Sequence, residues 1–344
     1  MTITTDIIRH LVNRKALSPE EMREVMQSII EGQASQAQMA GFIVALSMKG
    51  ETTEEITSAL SVMRESIQRI ELPLDNLVDI VGTGGDGQRT FNISTTSAFV
   101  VAAAGGIVAK HGTRSVLSRC GSADLLELAG VNLNLTAEEV QTCVSEIGIG
   151  FLFAPNYHPA LKHTLVTRSQ LGIRNIFNIL APLVNPAGAP HLLLGVYDKS
   201  LCLSLAKVCH KIGCRHVLVV HADDGLDEIS TTSPTLVAEL NRGEIHTYTI
   251  KPEDFGITRS SIDHLIVNNP AESVEKFMSV LRDEASPARD IVLLNAGAAI
   301  YAADLCESLH DGITRARIAL SSGRALAIFE ELKQFSHSLT TQVA

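Results

Sequence analysis

The chain contains no tryptophan, and aromatic residues make up only 4% of its 344 positions. Its interior must therefore be built mainly from alanine, leucine, isoleucine and valine, which favours layered helices and strands. The six cysteines lack the spacing of a disulfide framework, which is typical of a protein in a reducing cytoplasm. Cys202, Cys209 and Cys214 lie near His210 and His216 in the sequence. Because no Cys-x-x-Cys pair is present, buried structural cysteines are favoured over a zinc site.

An excess of positive charge is also absent, since the formal net charge is −10 and the sequence pI is near 5.6. Nucleic-acid binding depends on clustered Lys and Arg, so this composition argues against a nucleic-acid partner. A small anionic substrate remains compatible, because a pocket can be locally basic or can use a metal ion. The longest apolar run, residues 98–109, is interrupted by glycine and is too short to span a bilayer. Asp6, Arg9 and Arg14 interrupt the first apolar stretch, so neither a secretory signal nor a membrane association is expected.

The pattern of apolar residues changes along the chain. Residues 1–72 read as helices only, with a capping-box pattern from Ser18 and a helix stop at Gly32. From residue 77 onward short apolar strands alternate with helices, which predicts a mostly parallel sheet covered on both faces. Long helices return near the C-terminus, and one of them is predicted to run over residues 313–335.

These patterns predict an α/β fold in two parts. A small all-helical N-terminal domain would span residues 1–72 and be joined by helices near 162–186. A large α/β domain would span residues 73–344, with a mostly parallel central sheet flanked by helices.

Four polar loops follow predicted strands or open predicted helices. The glycine-rich segment 82–86 exposes backbone N–H groups to an anion, although glycine-rich turns are common. Segment 92–97 places four consecutive hydroxyl residues at a helix start, which is more than one cap requires. Segment 110–124 carries one Lys and two Arg, and it suits either a polyanion or a solvated surface. Segment 223–228 supplies carboxylates of the kind that Mg²⁺ prefers. Because carboxyl ends of parallel strands meet at one edge of a sheet, the four loops together predict a pyrophosphate–magnesium site.

In this order the loops resemble those of the anthranilate phosphoribosyltransferase family, and the resemblance runs nearly from end to end. Its most specific segments are Asp79-Ile80-Val81-Gly82-Thr83-Gly84-Gly85-Asp86, Phe91-Asn92-Ile93-Ser94-Thr95, Ala109-Lys110-His111-Gly112, Gly172-Ile173-Arg174, Asn185-Pro186 and Leu226-Asp227-Glu228. The resemblance implies a nucleoside phosphorylase/phosphoribosyltransferase-like fold. It also implies a magnesium-dependent homodimer that transfers a phosphoribosyl group from phosphoribosyl pyrophosphate (PRPP) to anthranilate in tryptophan biosynthesis.

The same resemblance implies roles for individual residues. The donor would be bound by Gly82, Gly85, Asp86, Thr90, Asn92, Ile93, Ser94, Thr95, Lys110, His111, Gly112, Thr113, Arg114, Ser115, Ser118 and Ser122. Gly82, Thr113 and Arg168 would face anthranilate, with Arg168 pairing with its carboxylate. Ser94, Asp227 and Glu228 would coordinate magnesium. No covalent intermediate is expected, because Lys110 and the metal would stabilise the leaving pyrophosphate electrostatically.

The third loop departs from the family pattern. Thr113, Leu117, Arg119 and Cys120 stand where relatives carry Asn, Ser, Lys and Ser, and Ala181 replaces a glycine. Since these changes cluster near the acceptor, a same-fold transferase or phosphorylase with another aromatic or pyrimidine acceptor stays open. A non-catalytic, nucleic-acid-binding relative is a further alternative, against which stand the acidic composition and the intact glycine loop.

Overall fold

The computed structural model describes residues 5–72, 75–114 and 120–340, and its N-terminal part is helical. The first four helices are α1 (Thr5–Val12), α2 (Pro19–Ile30), α3 (Gln36–Lys49) and α4 (Thr53–Glu65). Ser18, Ser35 and Thr52 each form a capping box at the start of α2, α3 and α4. The cap satisfies N–H groups that the first turn of a helix leaves free, so each start is encoded locally.

The described residues after position 75 form one seven-stranded sheet in the order β3-β2-β1-β4-β5-β6-β7. Its strands are β1 (Leu77–Gly82), β2 (Ile107–Gly112), β3 (Ile149–Phe153), β4 (His191–Gly195), β5 (His216–Ala222), β6 (Thr235–Asn241) and β7 (Glu244–Ile250). Strands β1 to β5 run parallel, which confirms the mostly parallel sheet, and β6 and β7 add an antiparallel hairpin. The hairpin turns at Arg242 and Gly243, both at positive φ, as a tight two-residue turn requires.

The remaining helices cover both faces of the sheet. They are α5 (Ile93–Ala103), α6 (Ser122–Leu128), α7 (Ala137–Ile147), α8 (Ala154–Tyr157), α9 (Lys162–Leu171), α10 (Ile176–Leu180), α11 (Leu201–Lys211), α12 (Pro270–Leu281), α13 (Pro287–Ala302), α14 (Leu309–Ser321) and α15 (Arg324–Thr340). The single helix predicted over residues 313–335 is wrong, because the chain turns between α14 and α15 at Gly323, whose φ is +74°. None of the described helices is long and apolar enough to cross a membrane.

Alternate residues of the central strands point into two different cores. Leu192 and Val217 pack with α11 and the N-terminal helices, whereas Leu193 and Leu218 pack with α5 and α13 on the opposite face. Helix α9 contacts α2 and α3, and α10 contacts α3 and α4. The N-terminal helices therefore share one continuous core with α10, α11 and one face of the sheet.

Candidate active site

A cavity of about 330 Å³ opens at the carboxyl ends of β1 and β2. The predicted site residues that line it are Gly82, Gly85, Asp86, Thr90, Asn92, Ile93, Ser94, Thr95, Lys110, His111, Gly112, Thr113, Arg114, Ser122, Arg168, Asp227 and Glu228. Ser115 and Ser118 lie outside the described residues, as do Leu117 and Arg119. The fold thus brings every described member of the predicted set to one place, from segments that are far apart in sequence.

Two glycines allow the acidic loop to cross the ends of β1 and β4. A Cβ atom on Gly82 would lie 2.6 Å from Asp227 Oδ2, and one on Gly195 would lie 1.6 Å from the Asp227 carbonyl oxygen. The N–H of Gly84 donates to Asp227 Oδ2 at 2.8 Å. A side chain at either glycine would displace Asp227 from the cavity floor. The sequence alone does not indicate a role for Gly195, because the residue it approaches, Asp227, lies 32 positions later in the chain.

The cavity floor brings the carboxyl groups of Asp86, Asp227 and Glu228 together. Burial raises the pKa of Asp227 to about 7, and repulsion from Asp86 adds to the effect. Burial also raises the pKa of Glu228 well above its usual range, with a further contribution from Asp227, while the charge of Lys110 acts in the opposite direction. Glu228 accepts a hydrogen bond from the backbone of Ser94. Carboxylates that repel one another in a desolvated site favour a bound cation.

The chemistry of these donors fits magnesium rather than zinc. No group of three or more His, Cys, Asp and Glu side chains within the described ranges is placed to hold a metal ion by itself. Magnesium typically takes one or two protein carboxylates and completes its coordination with substrate phosphates and water. Asp227 and Glu228, in a cavity that is also lined by Lys110 and Arg168, match that requirement.

The start of α5 leaves the hydroxyl group of Thr95 free for a ligand. Thr96 and Ser97 donate back to the carbonyls of Asn92 and Ile93, at 2.8 and 2.9 Å. Thr95 is 1% exposed, and its hydroxyl has no hydrogen-bond partner in this structure. The side chain of Asn92 does not cap the helix. Free N–H groups and an unpaired hydroxyl at a helix N-terminus are suited to phosphate oxygens.

The end of β2 is held by a buried polar network. The carboxylate of Asp79 accepts from the N–H of His111 at 3.2 Å and from Asn185 Nδ2 at 2.8 Å. Lys110 is 4% exposed and lies in the field of Asp79, which raises the pKa of its ammonium while burial lowers it. Sequence analysis assigned no role to Asp79 or Asn185, since they meet only through the pairing of β1 with its neighbours.

His111 also contacts His158 across the cavity wall, with 3.0 Å between their Nε2 atoms. Burial lowers the pKa of His111 well below its usual range and that of His158 to about 4. Both rings are therefore neutral near pH 7, so one Nε2 donates and the other accepts. The pair makes His111 a neutral part of the cavity wall rather than a charged acid.

Arg114 lines the cavity, but its guanidinium is already paired. Its Nη1 and Nη2 atoms lie 2.6 and 2.9 Å from the two carboxylate oxygens of Glu127. These hydrogen bonds raise the pKa of Arg114. A phosphate at this position would have to compete with Glu127, which is exposed.

Arg168 lines the cavity from α9, whereas Asp227 lines it from the loop after β5. Its Cζ atom lies 5.4 Å from the centre of the Phe177 ring, and burial lowers the pKa of its guanidinium. No ion pair between described residues involves Arg168. Asn178 and Pro182 line the cavity beside it, and sequence analysis missed Asn178. A desolvated guanidinium without a carboxylate partner suits an anionic group on a planar ligand.

The chain matches known protein families over most of its length. Residues 74–326 match the glycosyl transferase family, a/b domain, and residues 5–67 match the glycosyl transferase family, helical bundle domain. The chain is 52% identical over 331 residues to an anthranilate phosphoribosyltransferase of Thioalkalivibrio sulfidiphilus, covering 96% of this chain and 98% of that one. It is 54% identical over 333 residues to the Hahella chejuensis protein of that name, covering 96% of each.

Solved structures agree with the sequence relatives. The anthranilate phosphoribosyltransferase of Thermus thermophilus superposes with a TM-score of 0.90 at 39% identity, over 96% of this chain and 99% of that one. The Saccharomyces cerevisiae enzyme in complex with PRPP and Mg gives a TM-score of 0.86 at 26% identity, over 98% and 99% of the two chains. Its complex with 4-fluoroanthranilate also gives 0.86 at 26% identity, over 96% and 97%. The chain therefore belongs to the glycosyl transferase family and, within it, to the anthranilate phosphoribosyltransferases.

Proposed function

We propose that this chain transfers the phosphoribosyl group of PRPP to anthranilate, giving N-(5-phosphoribosyl)anthranilate and pyrophosphate in tryptophan biosynthesis. The observation that carries the proposal is the single cavity between the glycine loop, the acidic loop and Arg168. One wall is suited to a pyrophosphate with magnesium, and the other presents a guanidinium to a carboxylate. A pyrimidine acceptor lacks that carboxylate, so Arg168 favours anthranilate.

The donor would occupy the side of the cavity formed by the sheet. Its pyrophosphate and ribose would lie against Gly82, Gly85, Asp86, Thr90, Asn92, Ile93, Ser94 and Thr95. Its phosphates would also be held by residues of the third loop and the start of α6, namely Lys110, His111, Gly112, Thr113, Arg114, Ser115, Ser118 and Ser122. The unpaired hydroxyl of Thr95 and the N-terminus of α5, which the Asn92 side chain does not cap, support this placement.

Magnesium would be held by Asp227 and Glu228 with Ser94, and by oxygens of the donor. When bound, it supplies positive charge that stabilises pyrophosphate as a leaving group. We expect Asp227→Asn to lower kcat by about a hundredfold or more and to weaken the dependence of the rate on magnesium. Steady-state rates at several magnesium concentrations test this.

A matched control for Asp227→Asn lies in the same loop. Asp223 is exposed and pairs with Lys199 at 3.1 Å, so Asp223→Asn removes the same charge without touching the cavity. An equal loss of kcat in both variants would contradict a metal role for Asp227.

The chemistry requires positioning more than acid–base catalysis. The bond from the anomeric carbon to pyrophosphate breaks, and a new bond forms to the amine nitrogen, which then loses a proton. The amine of anthranilate is largely unprotonated near neutral pH, so no strong base is needed to create the nucleophile. Lys110 and the backbone N–H groups of the glycine loop would oppose the charge that develops on the leaving group. Neutral His111, in contact with His158, would form part of the wall around the reacting atoms.

The first experiment follows the fluorescence of anthranilate with PRPP, with and without magnesium. We expect a magnesium-dependent loss of fluorescence with the wild-type chain. Arg168→Ala removes a charge-assisted contact and should raise the KM for anthranilate by about tenfold to a hundredfold. Arg317→Ala, on the exposed side of α14, is the control. No turnover of anthranilate alongside turnover of another aromatic amine or a pyrimidine would contradict the proposed acceptor and point to Thr113 and Leu117.

We infer further that the chain acts as a homodimer built through its helical part. Four large apolar side chains are at least half exposed there: Val12 on α1, Met48 on α3, and Leu165 and Val166 on α9. Helix α3 contacts both α1 and α9, so these side chains lie on one group of adjoining helices. Exposed apolar side chains grouped in this way are typical of an interface.

We also infer a cytoplasmic location. The six cysteines are free thiols in this structure, and Cys202 and Cys209 are buried. Free buried thiols fit a reducing compartment. Fractionation of cells that express a tagged chain would test this inference.

A further inference from the structure

Arg174 belongs to a segment that resembles the family but that the proposed function leaves without a role. It lies between α9, which carries Arg168, and α10. Its Cζ atom lies 4.7 Å from the centre of the Tyr197 ring, and Tyr197 follows β4. No ion pair between described residues involves Arg174. The stack therefore joins the helical side of the cavity to the sheet side through a guanidinium and a ring.

Tyr197 is in turn fixed to the glycine loop. Its backbone N–H donates to Thr83 Oγ1 at 3.0 Å, and the N–H of Thr83 donates to the carbonyl of Gly195 at 2.9 Å. Thr83 is 5% exposed. The backbone of Tyr197 is thus hydrogen-bonded to the glycine loop, which is part of the proposed donor site.

Acidic groups near Arg174 attract its guanidinium without forming an ion pair with it. Its charge lowers the pKa of Asp198, after the larger effect of hydrogen bonds from Ser200, and it also acts on Asp86 of the glycine loop. Burial and the nearby Glu51 raise the pKa of Tyr197 to about 12, so the ring remains a neutral phenol under the guanidinium. Attraction to Asp198 and Asp86 and the contact with the Tyr197 ring favour one position for this side chain.

We propose that Arg174 is a positioning residue, whose stack on Tyr197 latches the segment carrying Arg168 against the glycine loop. The inference rests on the proposed function, because Arg168 is the anchor for the acceptor carboxylate. Arg168 lies six residues before Arg174, on a helix that ends at Gly172 with φ +60°. The latch fixes the chain just beyond that helix end, and thereby the distance from Arg168 to the donor.

Loss of the latch should weaken the binding of anthranilate rather than the binding of PRPP. The glycine loop keeps its own anchors, from Thr83 to Gly195 and from Gly84 to Asp227. The segment after α9 keeps a 3.4 Å hydrogen bond from Ser47 to the carbonyl of Arg174 and the cap at Asn175. We therefore expect the KM for anthranilate to rise while kcat and the KM for PRPP stay within about twofold.

The test compares Arg174→Gln, Tyr197→Leu, the double variant and Tyr197→Phe, which keeps the ring. Arg174→Gln and Tyr197→Leu should each raise the KM for anthranilate by about threefold to tenfold, and Tyr197→Phe should leave it unchanged. The double variant should be no worse than either single variant, because both changes remove one interaction. Arg317→Gln on α14 is the control for loss of one positive charge.

A second measurement does not depend on turnover. Because the chain lacks tryptophan, Tyr197→Trp introduces a single fluorescent reporter at the latch. Adding Arg174→Gln to it should shift the emission to longer wavelength, as the ring becomes more accessible to water. Arg317→Gln should leave the emission unchanged.

The outcomes separate this inference from the proposed function. Absence of anthranilate turnover by the wild type would overturn the proposed function, and with it the role of the latch. Wild-type turnover with an unchanged KM in Arg174→Gln, or effects of the two single variants that multiply, would overturn the latch alone. A fall in kcat in Arg174→Gln, Tyr197→Leu and Tyr197→Phe alike would also overturn the latch, because Tyr197 would then act through its hydroxyl group.

Discussion

At the scale of single residues, the described part of the chain depends on a few buried polar groups with long-range partners. Asp79 is fully buried in β1, and burial raises its pKa. Asn185 donates one N–H to Asp79 and another to the carbonyl of Ala109, both at 2.8 Å. Its own Oδ1 accepts from the N–H of Ala187. The side-chain amide of Asn185 thus forms hydrogen bonds with one group of β1, one group of β2 and one group of its own loop.

Replacing Asn185 should lower the free energy of unfolding more than it lowers the rate of the reaction. Asn185→Ala removes one donor from the Asp79 carboxylate and one from the Ala109 carbonyl in a buried site, at a cost of about 1–3 kcal/mol. Urea denaturation followed by circular dichroism measures the change. Asn13→Ala, at an exposed position after α1, is the control. Equal midpoints for Asn185→Ala and the wild type would show that water replaces the amide at no cost.

At the scale of elements, a charged network ties the amino end of β5 to its neighbours, whereas the candidate active site lies at the carboxyl ends of the parallel strands. His216 contacts Asp304 at 2.6 Å through Nδ1 and Glu239 at 3.1 Å through Nε2. Tyr248 and Tyr301 donate to Glu239, each at 2.7 Å. Burial opposes the charge of His216, but the two carboxylates outweigh it and raise its pKa. Despite burial, hydrogen bonds from His216 and the tyrosines lower the pKa of Glu239 to about 2.

The directions of these shifts predict how stability depends on pH. The contribution of His216 is complete below its unfolded pKa of 6.5 and is lost as the pH rises through the higher folded pKa. The contribution of Glu239 is complete above 4.5 and is lost as the pH falls towards 2. The network should therefore stabilise the fold most between pH 4.5 and 6.5.

His216→Gln should lower the urea midpoint at pH 5.5 more than at pH 8.5. His246→Gln, on the exposed side of β7, should change the midpoint equally at both values. A His216→Gln effect that grows with pH would contradict a charged His216 in the folded chain.

At the scale of the whole molecule, apolar side chains left exposed on α1, α3 and α9 predict the assembly. Leu165→Lys places a charge in the proposed interface, so it should convert a dimer to a monomer without unfolding the chain. Light scattering coupled to size exclusion measures the mass. Ile318→Lys, at a 62% exposed apolar position on α14, is the matched control. A monomeric wild type, or dissociation by Ile318→Lys as well, would contradict the proposed interface.

How far the sequence predicts this molecule depends on the range of each signal. The capping boxes at Ser18 and Thr136, the helical N-terminal part and the alternation of strands and helices are all local, and the structure has them. The break at Gly323 is local too, but helix periodicity continues across it and hides it. The hairpin of β6 and β7 went unpredicted although its turn residues are present.

The sequence by itself determined which loops carry glycines, hydroxyls and carboxylates, because the chemistry of these groups can be read without knowledge of their neighbours in the fold. Only the tertiary structure decided which residues those loops meet. The strand order places β1 beside β4, so Gly82 and Gly195 face each other and leave room for Asp227. The same order brings Tyr197 under Arg174. Such contacts depend on the packing of whole elements, to which short-range patterns contribute no information.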